Sequence, residues 1–185
     1  MMVNLPQTYL LGLCFLLVII SILVGRQLYK VRKDEMKLLK LEKEDSNTQE
    51  DSAKMYELAS VQLKKRLYPQ ATSTLKQALK KLDGEPEEAK ALIENALGFA
   101  LAAQNDFKSA VIHYKKALTA KADYPVALNN LGFAYQRLLK EDEAYKNYQE
   151  VLKLDTSNKT AISQIKRLER IVGKDKDQLL NKKGF

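Results

Sequence analysis

Few side chains in this chain are equipped to make or break bonds. Among 185 residues there is one histidine, His113, and one cysteine, Cys14. A single imidazole provides neither a His-rich metal centre nor a pair for relaying protons. A single thiol excludes an intrachain disulfide framework and any zinc site built on cysteines. His113 falls on a helical stretch one residue before Tyr114 and reads as an exposed imidazole without a special role. The carboxylates of Glu87-Glu88 and of Glu141-Asp142-Glu143 each open a helical segment, where negative charge suits the positive end of the helix dipole. No Gly-x-x-x-x-Gly-Lys, Gly-x-Gly-x-x-Gly, His-Glu-x-x-His or nucleophile elbow occurs. Seven glycines and four prolines leave little material for phosphate-cradling loops. The expectation is a protein with no catalytic residue, no metal, no cofactor and no small-molecule substrate: not an enzyme.

What remains is the chemistry of recognition, carried by amides and aromatic rings at a fixed spacing. Asn95-Ala-Leu-Gly-Phe-Ala recurs as Asn129-Asn-Leu-Gly-Phe-Ala, 34 residues later. At the same offset Ala110 matches Ala144, Tyr114 matches Tyr148 and Leu118 matches Leu152. Past residue 52 the apolar residues follow the helical period, and no window alternates as a strand does. A 34-residue period with Leu-Gly, a small residue and then an aromatic resembles the tetratricopeptide repeat. The fold class implied is all-α: a solenoid of helix-turn-helix units.

Packing explains the spacing. Small residues, Gly98 with Ala110 and Gly132 with Ala144, are expected where the two helices of a unit approach most closely. Leu97, Tyr114, Leu131 and Tyr148 fill the holes beside them. The first clear repeat, 91–124, has helices over about 86–104 and 107–120; the second, 125–158, over about 125–138 and 141–153. Asn105-Asp106 and Lys140-Glu141 mark the turns, and Pro125 opens a helix where its missing N–H does no harm. A degenerate repeat, 52–85, comes first, with Met55, Leu58, Ala59 and Gln62 on one helix and Tyr68, Ala71, Leu75 and Ala78 on the other. Residues 86–90 add a turn to the next helix. A capping helix, 159–172, carries Ile162, Ile165, Leu168 and Ile171 on one face; Gly173 is expected to end it, leaving a mobile tail, 173–185.

Such a solenoid exposes its first helices on a concave face, where protein segments bind. The candidate groove residues by position are Asn95, Phe99, Ala102, Asn129, Asn130, Phe133, Gln136 and Arg137, with Arg167 and Arg170 on the cap. Phe99 and Phe133 are as well suited to packing between repeats as to binding. The Lys/Asn/Asn/Lys/Arg clamp that grips chaperone tails in this fold is broken here, with Phe at its first Asn position.

The N-terminal part is of another kind. No charged residue occurs before Arg26, and the stretch from Leu5 to Gly25 supplies about 20 uncharged residues, enough to cross roughly 30 Å of hydrocarbon. No basic residue precedes the apolar run and no Ala-x-Ala site follows it, so a retained anchor is expected rather than a cleaved signal. Arg26, Lys30, Arg32 and Lys33 crowd its end, placing everything after them on the cytosolic or stromal side. Cys14 lies at membrane depth as a small apolar filler. Residues 34–51 form a charged spacer: a helical continuation through Met36, Leu38, Leu39 and Leu41, then a polar break from Asp45.

Residues 52–172 carry 20 basic against 14 acidic side chains. Lys64-Lys65-Arg66, Lys80-Lys81 and Lys115-Lys116 point at different helical angles and lack interleaved aromatics, so no nucleic-acid partner is expected.

An uncharged N-terminal span, a Lys/Glu spacer, Glu94-Asn-Ala-Leu-Gly-Phe-Ala and Tyr124-Pro-Val-Ala-Leu-Asn-Asn-Leu-Gly-Phe-Ala-Tyr together resemble the thylakoid tetratricopeptide proteins of cyanobacteria and algal plastids that assist photosystem I assembly. The resemblance covers nearly the whole chain and is strongest over 91–158. It implies a non-enzymatic scaffold, single-pass in the thylakoid membrane of a plastid or cyanobacterium. Its repeat domain would face the stroma or cytosol and bind photosystem I subunits or other assembly factors. The alternative is a generic anchored adaptor of a bacterial or organellar secretion or envelope complex.

Overall fold

The computed structural model describes residues 5–45, 51–82 and 84–182, all helix or short connection, in eight helices among those residues. The chain divides into two compact units, Met1–Asn47 and Thr48–Phe185.

The first unit is a single helix, α1 (Leu5–Asp45), of 41 residues. At 1.5 Å per residue it is about 60 Å long. It is long and apolar enough to cross a membrane, and its side chains from Tyr9 to Val24 are exposed. The helix runs on through Arg26 and Lys33 without a break, because Met36, Leu38, Leu39 and the interspersed Lys and Glu residues are strong helix formers. Most of the polar break expected after Asp45 lies at 46–50, outside the described residues.

The second unit consists of three helical hairpins and a final helix. They are α2 (Ser52–Lys64) with α3 (Tyr68–Lys80), α4 (Glu87–Ala103) with α5 (Phe107–Ala120), and α6 (Pro125–Arg137) with α7 (Glu141–Leu154), followed by α8 (Lys159–Lys182). Each helix packs on the next in chain order. In addition α2 touches α4 and α4 touches α6, so the first helices of successive hairpins form one wall. At 17 residues α4 exceeds the 13 of α2 and of α6, Glu87 to Lys90 forming the added turn after Pro86.

The three hairpins share one turn. Arg66, Asn105 and Leu139 are left-handed, with φ of 60°, 64° and 57°. After each, the next N–H bonds five residues back: Leu67 to the Gln62 carbonyl, Asp106 to Leu101 and Lys140 to Tyr135, at 2.9, 3.0 and 2.9 Å. This is the Schellman closure of a helix C-terminus. It makes the degenerate first repeat the structural equal of the others. Its Met55, Leu58, Ala59, Gln62, Ala71, Leu75 and Ala78 are buried, while Tyr68 is half-buried.

The core follows the small-and-large alternation with one change of partner. Leu97, Tyr114, Leu131 and Tyr148 are buried, as are Ala110 and Ala144. Gly98 and Gly132, however, meet the rings of Tyr114 and Tyr148 as their nearest cross-helix neighbours, not Ala110 and Ala144. The close approach is between the glycine backbone and a tyrosine ring.

The last helix is longer than expected. It continues through Gly173 to Lys182, whereas the sequence pattern ends it at 172 with a mobile tail. Gly173 adopts helical backbone, and helix formers (Lys174, Lys176, Gln178, Leu179, Leu180) follow it; the cost of about 1 kcal/mol for one interior glycine does not stop the helix. Residues 183–185 lie outside the described residues. Ala161 and Leu168 of α8 are buried, and Ile165 packs against the core.

Candidate partner-binding groove

The wall formed by α2, α4 and α6 opens into a cleft of about 320 Å³ near the turn ends of α4 and α6. It gathers five of the eight candidate residues: Phe99 and Ala102 from α4, and Asn130, Phe133 and Arg137 from α6. Phe99 is 44% and Phe133 47% exposed, so both rings face the cleft rather than serving as core between repeats.

Ala103, Asn105, Phe107 and Tyr114 complete the lining, and sequence reasoning placed none of these four in the groove. Phe107 opens α5. Its ring meets that of Phe133 edge-on, with centroids 6.2 Å apart and planes at 72°, an arrangement that suits the ring quadrupoles. The Arg137 guanidinium lies 5.0 Å from the centre of the same Phe107 ring, a cation–π contact. The turn aims Phe107 there. Asn105 supplies the left-handed residue, and the Asp106 carboxylate accepts from the Ser109 backbone N–H at 3.1 Å, capping α5. Hydrogen bonds from the Ser109 hydroxyl and backbone N–H hold the Asp106 carboxyl below its ordinary range. The repeat comparison gave no sign of Phe107, because Tyr68 and Glu141 stand at its equivalents.

The other three candidates act elsewhere. Asn95 is buried; its Nδ2 donates to the Tyr124 hydroxyl at 3.3 Å, and its Oδ1 accepts from Asn130 Nδ2 at 3.0 Å. Asn129 Nδ2 donates at 3.3 Å to Asn158 Oδ1, which also accepts the Ala161 N–H and so caps α8. Gln136 accepts from the Tyr148 hydroxyl at 2.9 Å and donates to Gln164 at 3.2 Å. These amides fasten one repeat to the next. Arg167 and Arg170 are exposed on α8. Burial pushes the phenols of Tyr114 and Tyr148 well above the ordinary value, and Tyr124 also rises, through burial and the nearby Tyr56.

His113 is not the exposed imidazole expected. Its Nδ1 lies 2.6 Å from Glu94 Oε2, with the two side chains 18% and 6% exposed. A buried carboxylate requires such a partner. A signal for it was present in the repeat. Residue 128, the counterpart of Glu94 34 positions on, is a buried leucine, so an acid at 94 stands in a core position. Among the described residues no three His, Cys, Asp or Glu side chains converge.

Family profiles agree with this architecture: one described as "TPR repeat" matches residues 98–138, and one described as "Tetratricopeptide repeat" matches 125–158. The ycf37 protein of Guillardia theta is 29% identical over 164 residues, 89% of this chain and 92% of that protein. The ycf37 protein of Cyanophora paradoxa is 31% identical over 156 residues, 84% of this chain and 90% of that protein. The chloroplastic tetratricopeptide repeat domain-containing protein PYG7 of Arabidopsis thaliana is 29% identical over 85% of this chain, which spans 52% of its length. Among solved structures, MamA superposes with a TM-score of 0.68 at 17% identity, covering 74% of this chain and 77% of its own. The first TPR domain of RPAP3, solved with an HSP90 peptide, gives 0.62 at 20% identity over 66% of this chain and 94% of its own. These structural likenesses establish the fold.

Proposed function

Because the chain belongs to the ycf37 family of tetratricopeptide-repeat proteins, we propose that it is a membrane-anchored scaffold that holds a protein partner during assembly of photosystem I. The single observation that carries the scaffold reading is the pair of phenylalanines at repeat-equivalent positions, Phe99 and Phe133, each nearly half exposed on the wall of first helices. Large apolar side chains held open on a concave surface lose free energy in water and regain it when a partner covers them.

The anchor follows from α1 and its charge pattern. An uncharged run to Gly25 suits a bilayer, and the basic residues from Arg26 to Lys33 keep the following domain on the side of origin. The photosystem I assignment rests on the family resemblance of the whole chain, and the chloroplastic relative supports a plastid setting.

The test is affinity capture of the full chain from gently solubilised thylakoid membranes, wild type beside Phe99→Ser with Phe133→Ser. Photosystem I subunits or assembly factors should co-purify with wild type and be lost from the variant. Recovery of secretion or envelope components instead would establish the anchored-adaptor alternative. Alkaline carbonate should leave the protein with the membrane; its release would refute the anchor.

A further inference from the structure

We infer that the cleft between α4, α5 and α6 takes an acidic, aromatic-anchored segment of its partner: one large apolar side chain enters between Phe99 and Phe133, and a neighbouring carboxylate pairs with Arg137. This rests on the groove reading above and names the chemistry of what the groove takes.

The apolar half follows from shape. The cleft, about 320 Å³, is walled by the exposed rings of Phe99 and Phe133, with Phe107 beside them. That is the size of a small ligand pocket and accommodates one large side chain with its flanking backbone. An aromatic occupant would meet a T-shaped ring pair already in place, without reordering the site.

The acidic half follows from Arg137. Among the described residues no carboxylate pairs with it. Its guanidinium carbon lies over the Phe107 ring at 5.0 Å, which holds the charge at the apolar wall of the cleft. A carboxylate arriving beside the apolar anchor satisfies the guanidinium with two parallel hydrogen bonds. Asn130 spends its Nδ2 on Asn95, leaving its Oδ1 to accept a backbone N–H of the bound segment. The repeat domain's surplus of basic over acidic residues favours the approach of an acidic partner.

The combination occurs at one junction. At the α2–α4 junction Ser60 replaces the first ring and Ala103 the arginine. In the last hairpin Glu141 stands where Phe107 does, removing the platform and adding a charge that repels acid. The selectivity is therefore local to the α4–α6 junction and distinct from the broken chaperone-tail clamp.

The experiment uses the full chain in nanodiscs and a random peptide library displayed on phage. Selected peptides are then measured by fluorescence anisotropy on wild type, Arg137→Gln and Phe133→Ser, with circular dichroism confirming that each variant keeps its helicity. The expected result is enrichment of sequences pairing Phe, Tyr, Trp or Leu with a nearby Asp or Glu, whose affinity drops about tenfold or more on either variant. Enriched peptides that are basic or lack acids, or acidic ones indifferent to Arg137→Gln, would overturn the charge assignment. Loss of binding on Phe133→Ser in that case leaves the groove standing. Absence of enrichment, or binding indifferent to both variants, would overturn the cleft as the docking site.

Discussion

Gly98 lies tight against the ring of Tyr114: a Cβ built on it would sit 2.7 Å from both Cδ1 and Cε1. Gly132 and Tyr148 repeat the relationship, with ring carbons at 2.9 Å. In the first hairpin the same two positions hold Ala59 and Leu75, both fully buried. A methyl is tolerated where the ring is absent, so the glycine and the tyrosine are exchanged together. Tyr114 and Tyr148 are among the largest fully buried side chains and have nowhere to move. Gly98→Ala is therefore expected to cost about 1–3 kcal/mol. The double variant Gly98→Ala with Tyr114→Leu should cost less than the sum of its parts. Urea unfolding of residues 48–185, followed by circular dichroism, measures both; strict additivity would contradict the contact.

The left-handed turn residue of the last hairpin is a leucine, Leu139, 86% exposed. A side chain at φ 57° crowds its own carbonyl and makes no compensating contact there. Leu139→Gly or Leu139→Asn should stabilise the domain by about 0.5–1 kcal/mol, whereas Asn105→Leu at the equivalent turn should destabilise it. A fall in melting temperature for Leu139→Gly would count against this account.

Asp106 caps α5, and its carboxyl is held below the ordinary value of 3.8, first by hydrogen bonds from Ser109. A depressed folded-state pKa stabilises the fold above the unfolded value and ceases to do so as pH falls through the folded value. Because the group is open to water, the contribution is modest, about 0.5–1 kcal/mol. Asp106→Ala should be less stable than wild type by that amount at pH 7, and the two should converge as pH falls through the lowered folded-state value. A difference that persists in acid would show that the carboxylate charge is not the source. Loss of this cap should also loosen Phe107 and weaken the cleft.

The Glu94–His113 pair yields a test by removal. His113→Ala leaves a buried carboxylate without its partner and should cost about 3 kcal/mol. Replacing both, Glu94→Leu with His113→Leu, follows the pattern of Leu128 in the next repeat and should recover most of that loss. Calorimetry on residues 48–185 reads the difference, and an innocuous His113→Ala would show that the pair carries no stability.

The period of 34 residues, the helix limits of both clear repeats and the placing of their turns were decided locally and repetitively, so the sequence alone determined them. A helix–turn–helix unit writes its apolar face, its turn and its small residues into each copy, and the copies confirm one another. The anchor-length apolar run was legible for the same reason: composition over one stretch suffices.

Only the tertiary structure decided which polar and aromatic side chains stay open on the wall of first helices and which are used up between helices. Helical period fixes the angle of Asn95, Asn129, Phe99 and Phe133 around their own axes, but not what stands opposite. Packing sets Asn95 against Tyr124, Asn129 against Asn158 and Gln136 against Gln164, which makes these amides fasteners, and it leaves the phenylalanines in the open. Phe107 and Arg137 meet across two hairpins, 30 positions apart in sequence, through a contact that no repeat copy announces. His113 likewise found Glu94 on a neighbouring helix. Each of these depends on how helices approach one another, a property of packed volumes rather than of any single segment.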